Sequence, residues 1–501
     1  MSLVFETTAL TGRTDLADLA GRAPAGPMDP RLVPALTGDP AAIAQLEAGA
    51  RCVTTGQQPG LLGGPLYTLH KAATAIALAR RVQAVPVFWV AGDDHDFAEA
   101  NHADILTNAN VVDRLTLRDR PENAPLTPLY REPVGNDIQA ILEAVTARAP
   151  ETEFRAAVLD TIRTSYAPDT DLATAFARLL AVWFGPHGLV VFCPTHAAAK
   201  TLMAPWLLRA LEQADAIDAG IVARARALEA AGAPVPVHVG DRATLVMVEG
   251  DLGRDRLVRD GNDLVLRRSG ERLCLDDVRA LAQRDPQRLS PNVLLRPVVE
   301  AAMLPTIAYV GGPGELAYFP QCDPVYTALG VTPQARVPRW SARIIETKVQ
   351  KVLDKYAIRP DDLGLPEGQL AARLVREALP PETRESIRAL RLTIDAQYDQ
   401  IRDAAVAVDP TLRKPVESQR GQALAGLADV EKRIVHHLKQ QNDVLVQQLD
   451  KARVNLFPRG KPQERVLGAV PFLIRYGPAF LEQLVGAADA WVATWSGSSA
   501  R

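Results

Sequence analysis

A glycine-rich loop at residues 55–65 is the first segment whose residue types could do chemistry. It reads Thr-Gly-Gln-Gln-Pro-Gly-Leu-Leu-Gly-Gly-Pro, and it lies between a short β-type run and a predicted helix. Such a loop can bind a phosphate or carboxylate through backbone N–H groups and the helix N-terminus. A tight turn that needs glycine for its geometry explains the pattern equally well. The candidate binding residues are Thr55, Gly56, Gln57, Gln58, Gly63 and Gly64.

Two side chains of the helix that follows share one face near this loop. Tyr67 and Lys71 stand four residues apart, so they point in the same direction on a helix. A lysine there could neutralise the charge of a phosphate or carboxylate, although most surface lysines are simply solvated. We therefore predict that Lys71 is catalytic and that Tyr67 contacts the substrate.

A second candidate is the acidic loop Gly-Asp-Asp-His-Asp at residues 92–96, directly after an apolar run typical of a buried parallel strand. Open α/β sheets bind their ligands at this end of a strand. His95 could act as a general acid or base, while Asp94 or Asp96 could orient it, bind an amine or hold Mg²⁺. A solvated acidic loop is the alternative. The other substrate-binding residues predicted in and after this loop are Asp93, Asp96, Asn101 and His102.

Two further groups could complete a crevice. A late strand followed by Gly-Gly-Pro-Gly-Glu predicts a second glycine loop at a helix start, and an arginine before proline could clamp a carboxylate or anchor a loop. The binding residues predicted from this group are Arg296, Tyr309, Gly311, Gly312 and Glu315. A basic turn near the C-terminus could bind nucleotide phosphates or serve a structural purpose, and its candidates are Arg459, Lys461, Gln463 and Arg465.

Composition narrows the class of protein. The 501 residues have a formal net charge of −3, so no overall field recruits nucleic acid or an acidic membrane. The four cysteines are far apart and form no CxxC pair, which argues against a disulfide framework and a structural zinc site and favours buried thiols. The N-terminus lacks a signal-peptide pattern and no apolar run is long enough to span a bilayer, so a cytoplasmic enzyme is expected.

The elements that must position these groups form an α/β pattern. Residues 51–94 predict a βαβ unit, and apolar runs at 188–194 and 304–311 predict two more buried strands. Isoleucine and valine repeat every seven residues from 387 to 408, which predicts one arm of a helical hairpin that turns at 411–415. We favour a dimerisation arm over a hairpin packed on itself, since two narrow apolar stripes cover each other poorly. The predicted ranges are 1–135 core, 136–187 helical insertion, 188–232 core, 233–290 β-containing insertion, 291–375 core, 376–455 coiled-coil hairpin and 456–501 a segment packing back on the core.

Several of these motifs, in this order, resemble the BshC family, the cysteine ligase of bacillithiol biosynthesis. The resemblance rests on the glycine loop with residues 63–72, on Pro-Val-Phe-Trp-Val-Ala-Gly-Asp-Asp-His-Asp-Phe at 86–97 with Asn-His at 101–102, on Leu-Arg-Pro at 295–297 with residues 304–315, and on Leu-Phe-Pro at 456–458 with Gln-Glu-Arg at 463–465. It covers nearly the whole chain.

The resemblance implies a fold and a reaction. The fold would be a Rossmann-like, nucleotidyltransferase-like core with a parallel sheet, two connecting insertions and a C-terminal antiparallel coiled-coil hairpin that forms a homodimer. The reaction would join L-cysteine to glucosaminyl-malate through an amide bond, with ATP as the expected co-substrate and Mg²⁺ left open. The HIGH and KMSKS motifs of synthetase-like adenylating sites are absent, so adenylation is an analogy of fold. A ligase or nucleotidyltransferase for another amine and acid, and a non-enzymatic dimeric scaffold, are the alternatives.

Overall fold

The structure is a computed structural model that describes residues 3–8, 14–240 and 242–497. The chain divides into two compact units, a core unit (residues 3–344 and 462–501) and a helical unit (residues 345–461). The helical unit thus starts earlier than the predicted hairpin boundary at 376. The reason is that Val349, Leu353 and Leu370 pack with Leu449 and Leu456 in one apolar cluster of the helical unit.

The strands are short and belong mainly to the core unit. They are β1 (Val4–Thr7), β2 (Leu36–Gly38), β3 (Cys52–Gln57), β4 (Val85–Val90), β5 (His102–Leu106), β6 (Val112–Thr116), β7 (Val190–Phe192), β8 (Ala243–Gly250), β9 (Gly253–Asp260), β10 (Asp263–Leu266), β11 (Arg272–Leu273), β12 (Leu289–Pro291), β13 (Thr306–Gly311), β14 (Ala335–Pro338) and β15 (Ala342–Ile345).

Helices account for most of the remaining regular structure. Those of the core unit before residue 345 are α1 (Leu16–Gly21), α2 (Pro40–Glu47), α3 (Leu66–Val82), α4 (Phe97–Ala100), α5 (Ile138–Arg148), α6 (Arg155–Ser165), α7 (Leu172–Phe184), α8 (Ala197–Glu212), α9 (Ala214–Ala230), α10 (Leu275–Arg284), α11 (Arg296–Met303), α12 (Pro313–Tyr318) and α13 (Asp323–Leu329). The helical unit contains α14 (Thr347–Tyr356), α15 (Gln369–Glu377), α16 (Pro381–Val408), α17 (Arg413–Gln441) and α18 (Asp443–Leu456), and the chain continues in the core unit with α19 (Val470–Tyr476) and α20 (Ala479–Ala493).

The central sheet has six strands in the order β14-β13-β3-β4-β7-β2. All neighbouring strands run parallel except β2, which pairs antiparallel with β7 at the edge. The C-terminal ends of β3, β4, β13 and β14 therefore meet at one edge of the sheet. This is the edge to which the sequence assigns its candidate loops.

Helix α3 is buried on nearly every face because it lies between the sheet and α20. Its alanines Ala72, Ala73, Ala75, Ala77 and Ala79 are fully buried, and such small side chains let a helix approach a sheet closely. Strand β4 is buried at every position, as an apolar strand covered on both faces must be. The predicted βαβ unit is thus present, with α3 at its centre.

Two insertions interrupt the sheet, as the sequence predicts. The first contains α5, α6 and α7. The second is an antiparallel sheet in the order β11-β10-β9-β8-β12, in which the predicted turn at residues 260–262 joins β9 to β10. The sequence predicts that the cysteines are buried thiols. Cys52 and Cys322 are buried, but Cys274, which directly follows β11, is exposed.

The helical unit contains a long hairpin made of α16 and α17. The chain turns at Asp409, whose carboxylate accepts the backbone N–H of Thr411 at 2.8 Å. Proline 415, predicted within the turn, lies in the first helical turn of α17, where its missing N–H is not needed. The described helices include none long and apolar enough to cross a membrane.

Candidate active site

A cleft of about 340 Å³ opens at the C-terminal edge of the central sheet. We call it the sheet cleft. It is bounded by the ends of β3, β4, β13 and β14, by one face of α3 and by the segment before α19. Its lining residues are Gly56, Gln57, Gln58, Tyr67, Lys71, Trp89, Ala91, Glu99, Arg296, Tyr309, Gly312, Pro313, Gly314, Glu315, Tyr318, Arg339 and Arg465.

Lys71 is buried and its ammonium group is fully occupied. It donates to the carbonyl oxygen of Gly56 at 2.7 Å and to Oε1 of Gln57 at 2.9 Å, and it pairs with Oε2 of Glu315 at 2.5 Å. Burial lowers the pKa of Lys71, while Glu315 opposes that shift. An ammonium group has three N–H donors, and these three partners use all of them. Lys71 therefore holds Glu315 in place and has no donor left for a ligand, which differs from its predicted catalytic role.

Glu315 is the centre of a hydrogen-bonded cluster. It accepts the Tyr309 hydroxyl at 2.5 Å and the backbone N–H of Gly312 at 2.8 Å. Burial alone would raise the pKa of Glu315, but the charge and hydrogen bond of Lys71 bring it below its ordinary value. The carboxylate is therefore ionised, and it fixes the glycine loop after β13.

Arg296 also lines the sheet cleft, and its guanidinium group has partners inside the protein. It donates to Glu300 at 2.6 Å and to the Tyr309 hydroxyl at 3.3 Å. Glu300 is fully buried and also accepts the hydroxyl of Thr54 at 2.5 Å. The positive charge of Arg296 is therefore largely balanced inside the protein.

Arg339 is held by the buried carboxylate of Glu464. The two form a bidentate pair at 2.8 and 2.6 Å, and Glu464 also accepts from Ser341 and from Nδ1 of His70 at 2.8 Å. Burial lowers the pKa of His70, whose Nε2 has no partner in the described structure. His70 is thus a neutral, structural donor, and Arg339 too is balanced.

Two charged side chains of the sheet cleft have no ion-pair partner among the described residues. They are Arg465, next to Glu464, and Glu99, on the short helix α4; both side chains are partly exposed to solvent. Both side chains lie close enough to Tyr67 to affect the pKa of its phenol. Burial, the largest effect, raises this pKa to about 12; the charge of Glu99 also raises it, and the charge of Arg465 lowers it. Burial and the neighbouring Asp96 and Asp94 raise the pKa of Glu99. The cleft therefore presents one unbalanced cation and one unbalanced anion.

His95 lies outside the lining of the sheet cleft and on the wall of another cavity. Asp94 connects the two: it accepts from the Gln58 side chain, which lines the sheet cleft, and its Oδ1 lies 3.8 Å from Nδ1 of His95. Burial and Arg254 lower the pKa of His95. Its imidazole is therefore neutral at neutral pH and able to accept a proton.

The other predicted residues of the acidic loop have structural partners. Asp93 pairs with the buried Lys200, and Asp96 caps α4 by accepting the backbone N–H of Glu99 at 3.1 Å. The Asn101 amide donates to the carbonyl of Arg118 at 2.8 Å, and His102 Nδ1 lies 2.9 Å from the carbonyl of Ala98. None of these predicted binding residues lines the sheet cleft.

The glycine loop after β3 proves to be mostly a turn. The first N–H of α3, on Leu66, donates to Leu467 at 2.8 Å, so this helix start is covered by protein. Gly63 has a φ of +88°, and a Cβ there would stand 2.5 Å from the ring of Trp183. Thr55 donates to the carbonyl of Val310. Of the predicted residues of this loop, Gly56, Gln57 and Gln58 line the cleft, whereas Thr55, Gly63 and Gly64 do not. Gly311 of the second predicted loop does not line it either.

The predicted nucleotide-binding residues do not all line the sheet cleft. Arg465 lines the sheet cleft, while Gln463 is buried and exchanges hydrogen bonds with the backbone of Ile344 at 2.8 and 3.0 Å. Arg459 and Lys461 belong to the helical unit. Over the described ranges, the His, Cys, Asp and Glu side chains form no group of three or more that could hold a metal ion.

Comparison with known proteins identifies the family. The sequence model described as "Bacillithiol biosynthesis BshC, N-terminal Rossmann-like domain" matches residues 37–340, and that of the BshC C-terminal coiled-coil domain matches residues 342–493. The chain belongs to the BshC family. Family membership confirms the predicted Rossmann-like core and coiled coil, and it makes the chain a ligase.

Individual relatives agree over most of the chain. A protein of Koribacter versatilis named "Putative cysteine ligase BshC" is 34% identical over 452 residues, which cover 89% of this chain and 83% of that protein. Proteins with the same name from Salinibacter ruber and Heliobacterium modesticaldum are 34% and 33% identical. They cover 86% and 89% of this chain, and 80% and 82% of the respective relatives.

Sequence reasoning missed three residues of the cleft with charged or hydroxyl side chains, Arg339, Glu99 and Tyr318. Arg339 directly follows β14, the one short strand of the cleft edge that the sequence analysis did not identify. Glu99 follows the acidic loop by three residues, so the helix pattern after Asp96 could have indicated it. Tyr318 lies one helical turn after Glu315, on the same face of α12.

Proposed function

We propose that the chain joins the carboxyl group of L-cysteine to the amino group of glucosaminyl-malate, with ATP activating the carboxylate. The observation that supports this best is the unbalanced pair of charges in the sheet cleft, Arg465 and Glu99, near the phenol of Tyr67. A free amino acid carries one carboxylate and one ammonium group. Arg465 would bind the carboxylate and Glu99 the ammonium.

The reaction needs an activated acyl group, because a carboxylate does not react with an amine in water. A carboxylate oxygen of cysteine attacks a phosphorus atom of ATP, forming a C–O–P linkage and releasing ADP or pyrophosphate. The sugar amine then attacks the carbonyl carbon, so that a C–N bond forms and the C–O bond breaks with release of phosphate or AMP. Glu99, bound to the ammonium of cysteine, would keep that nitrogen protonated and unable to attack.

His95 is the residue that we propose as general base for the sugar amine. Its pKa is lowered, chiefly by burial and then by Arg254, so the neutral form that accepts a proton predominates near neutral pH. Asp94, held by Gln58, lies beside it. Lys71 and Arg296 would act as positioning residues, because their charges are already paired with Glu315 and Glu300.

We also propose a homodimer formed through the helical unit. Helix α16 buries none of its side chains, and Leu390, Ile401 and Val408 are exposed along one face of it. A second copy with the same stripe is the simplest partner that would cover these side chains.

The binding of L-cysteine to the sheet cleft can be measured by isothermal titration calorimetry. We expect Arg465→Gln and Glu99→Gln each to weaken cysteine binding by roughly 10-fold, the value of one charge-assisted hydrogen bond. Arg284→Gln is the matched control, since Arg284 is exposed on α10 and does not line the cleft. Unchanged affinity in both cleft variants would refute the assignment of the sheet cleft to cysteine.

A further inference from the structure

A second cavity of about 390 Å³ lies in the core unit, between the β-containing insertion and the loop after β4. We call it the arginine cavity. Its lining includes one buried arginine, Arg254, and three exposed ones, Arg256, Arg267 and Arg268. The other lining residues are His95, Leu126, Val237, His238, Val239, Ala243, Thr244, Met247, Asp255, Asn292 and Val293.

None of these four guanidinium groups has a carboxylate partner in the part of the chain that the structure describes. Arg254 donates to the Ser290 hydroxyl at 3.0 Å and to the carbonyl of Pro291 at 2.7 Å, and Arg268 donates to the carbonyl of Leu252 at 2.7 Å. All three acceptors are neutral. Four positive charges therefore face one cavity without an ion-pair partner among the described residues; the negative charges near them are Asp255 in the lining and Asp94, whose pKa Arg254 lowers.

The one carboxylate in the lining, Asp255, offsets at most one of the four charges and forms an ion pair with none of them, because backbone N–H groups bind its oxygens. Asp255 is buried and accepts the N–H of Arg256 at 2.7 Å on one oxygen. Its other oxygen accepts the N–H groups of Arg268 at 2.8 Å and of Ser269 at 3.3 Å. These bonds shape the strand ends and direct the carboxylate toward the peptide N–H groups.

Other arginines of the same sheet show that the missing partners are a local feature. Arg259 on β9 pairs with Asp218 at 2.5 Å, and Arg272 on β11 pairs with Asp260 at 2.8 Å and Asp263 at 2.9 Å. The whole chain has a net charge of −3, so acidic residues are plentiful. Within residues 242–273, all of which the structure describes, the arginines without a carboxylate partner are the four that line the cavity.

We propose that the arginine cavity is a second binding site, for a ligand that carries two or more carboxylate or phosphate groups. Guanidinium groups bind both of these anions through paired N–H donors, and several together suit a multiply charged ligand better than a single carboxylate. Two sources of this chemistry fit the reaction, the phosphate chain of ATP and the two carboxylates of a malate group. The proposed function assigns a binding site, the sheet cleft, to cysteine alone. The arginine cavity rests on that function and adds a second site to it.

The position of the cavity connects the bound anion with the reaction edge of the sheet. Nη1 of Arg254 lies 3.5 Å from Nδ1 of His95, and His95 lies beside Asp94, which is bonded to Gln58 of the sheet cleft. A ligand held by the arginines would therefore reach toward His95. The two cavities are thus connected by three consecutive contacts, from Arg254 to His95, from His95 to Asp94 and from Asp94 to Gln58.

The test uses the full-length chain, titrated calorimetrically with ATP, tripolyphosphate and L-malate. The double variant Arg256→Gln/Arg267→Gln removes two charges whose side chains make no hydrogen bond in the described structure, so folding should be unaffected. We expect it to weaken binding of the anion at least ~10-fold. Arg284→Gln, exposed on α10 and outside both cavities, should keep the wild-type affinity. Arg465→Gln is measured beside it as the variant of the sheet cleft. Circular dichroism and thermal unfolding check that all variants are folded.

The outcomes separate the source of the anion and the two sites. Loss of ATP and tripolyphosphate binding in the double variant would support a phosphate site, and loss of malate binding would support a carboxylate site. The proposal is overturned if the wild type binds none of the three probes, if the double variant binds them as the wild type does, or if only Arg465→Gln weakens them. Cysteine binding, measured separately, reports on the sheet cleft and is independent of these results.

Discussion

At the scale of single residues, the charges of the sheet cleft are of two kinds. Lys71, Arg296 and Arg339 each have a buried carboxylate partner, so they support the walls. Arg465 and Glu99 have none among the described residues, so they are available to a ligand. A charge that is already paired gains little from a ligand, whereas an unpaired one gains a new charge-assisted hydrogen bond.

The pairing of Lys71 with Glu315 predicts a coupled effect on stability. Lys71→Met removes one partner and leaves a buried carboxylate, which should lower the free energy of unfolding by roughly 3–5 kcal/mol. The double variant Lys71→Met/Glu315→Gln removes both charges and should be more stable than Lys71→Met. Urea unfolding of the wild type, both single variants and the double variant measures the coupling. Simple additivity of the two single effects would contradict the pairing.

The general-base role of His95 predicts a pH dependence. Because its pKa is lowered, kcat/KM for amide formation should rise with pH and level off below the ordinary imidazole pKa of about 6.5. His95→Ala should reduce the rate at neutral pH by at least ~100-fold. Rates measured between pH 5 and about 8 check both expectations. A folded His95→Ala variant with wild-type rates would contradict the role.

The sequence predicted which loops meet at one edge of the sheet better than it predicted the contacts of each residue. It indicated the loops after β3, β4 and β13 because glycines and carboxylates follow apolar runs. It could not show that Lys71 is saturated, since its partner Glu315 lies 244 positions later in the chain. It also could not show that Arg465 stays unpaired while its neighbour Glu464 binds Arg339. Such distinctions depend on contacts between distant segments.

At the scale of elements, Glu464 connects three segments of the core unit. It binds His70 on α3, Arg339 after β14 and Ser341 two residues further on. Burial opposes its ionisation, but the hydrogen bonds from His70 and Arg339 bring the pKa of Glu464 far below its ordinary value. This one carboxylate therefore holds α3, the β14 end and the segment before α19 around the cleft.

Replacing Glu464 should destabilise the core unit. Glu464→Gln leaves Arg339 buried without a counter-charge, which should lower the free energy of unfolding by roughly 3–5 kcal/mol. Glu482→Gln, on the exposed side of α20, is the matched control. Thermal unfolding compares them at neutral pH. Equal melting temperatures for the two variants would contradict the structural role of Glu464.

The same carboxylate predicts a pH dependence of stability. A carboxyl group with a depressed pKa stabilises the fold fully above its unfolded pKa of about 4.3, and it loses that contribution as the pH falls toward the folded pKa. The wild type should therefore lose stability steeply below about pH 4, and Glu464→Gln should lose less. Denaturation midpoints between pH 3 and about 7 measure both slopes. Parallel slopes would contradict the prediction.

At the scale of the whole molecule, the sequence predicted the architecture well because its patterns are local. The heptad repeat indicates α16, and continuous apolar runs indicate the parallel strands. The sequence pattern did not indicate that the helical unit starts at residue 345. Helices α14 and α15 carry ordinary amphipathic patterns, and only their packing with α18 assigns them to that unit.

The exposed stripe of α16 predicts the oligomeric state. The wild type should have twice the chain mass of 54.1 kDa in light scattering. Ile401→Glu/Val408→Glu puts two charges on the stripe and should give a monomer, because a buried carboxylate without a partner is costly. Gln400→Glu, exposed on the same helix, adds a charge off the stripe and should remain dimeric. A monomeric wild type would contradict the dimer.

The proposed activity of this chain is the formation of an amide between cysteine and glucosaminyl-malate. The most direct measurement incubates the purified full-length chain with ATP, L-cysteine and glucosaminyl-malate and follows the thiol product by mass spectrometry. We predict a product with the mass of the two substrates minus one water, formed only when all three compounds are present and lost in the His95→Ala variant. Absence of this product, with ATP or any other phosphoryl donor, would contradict the claim and favour a non-enzymatic dimeric scaffold.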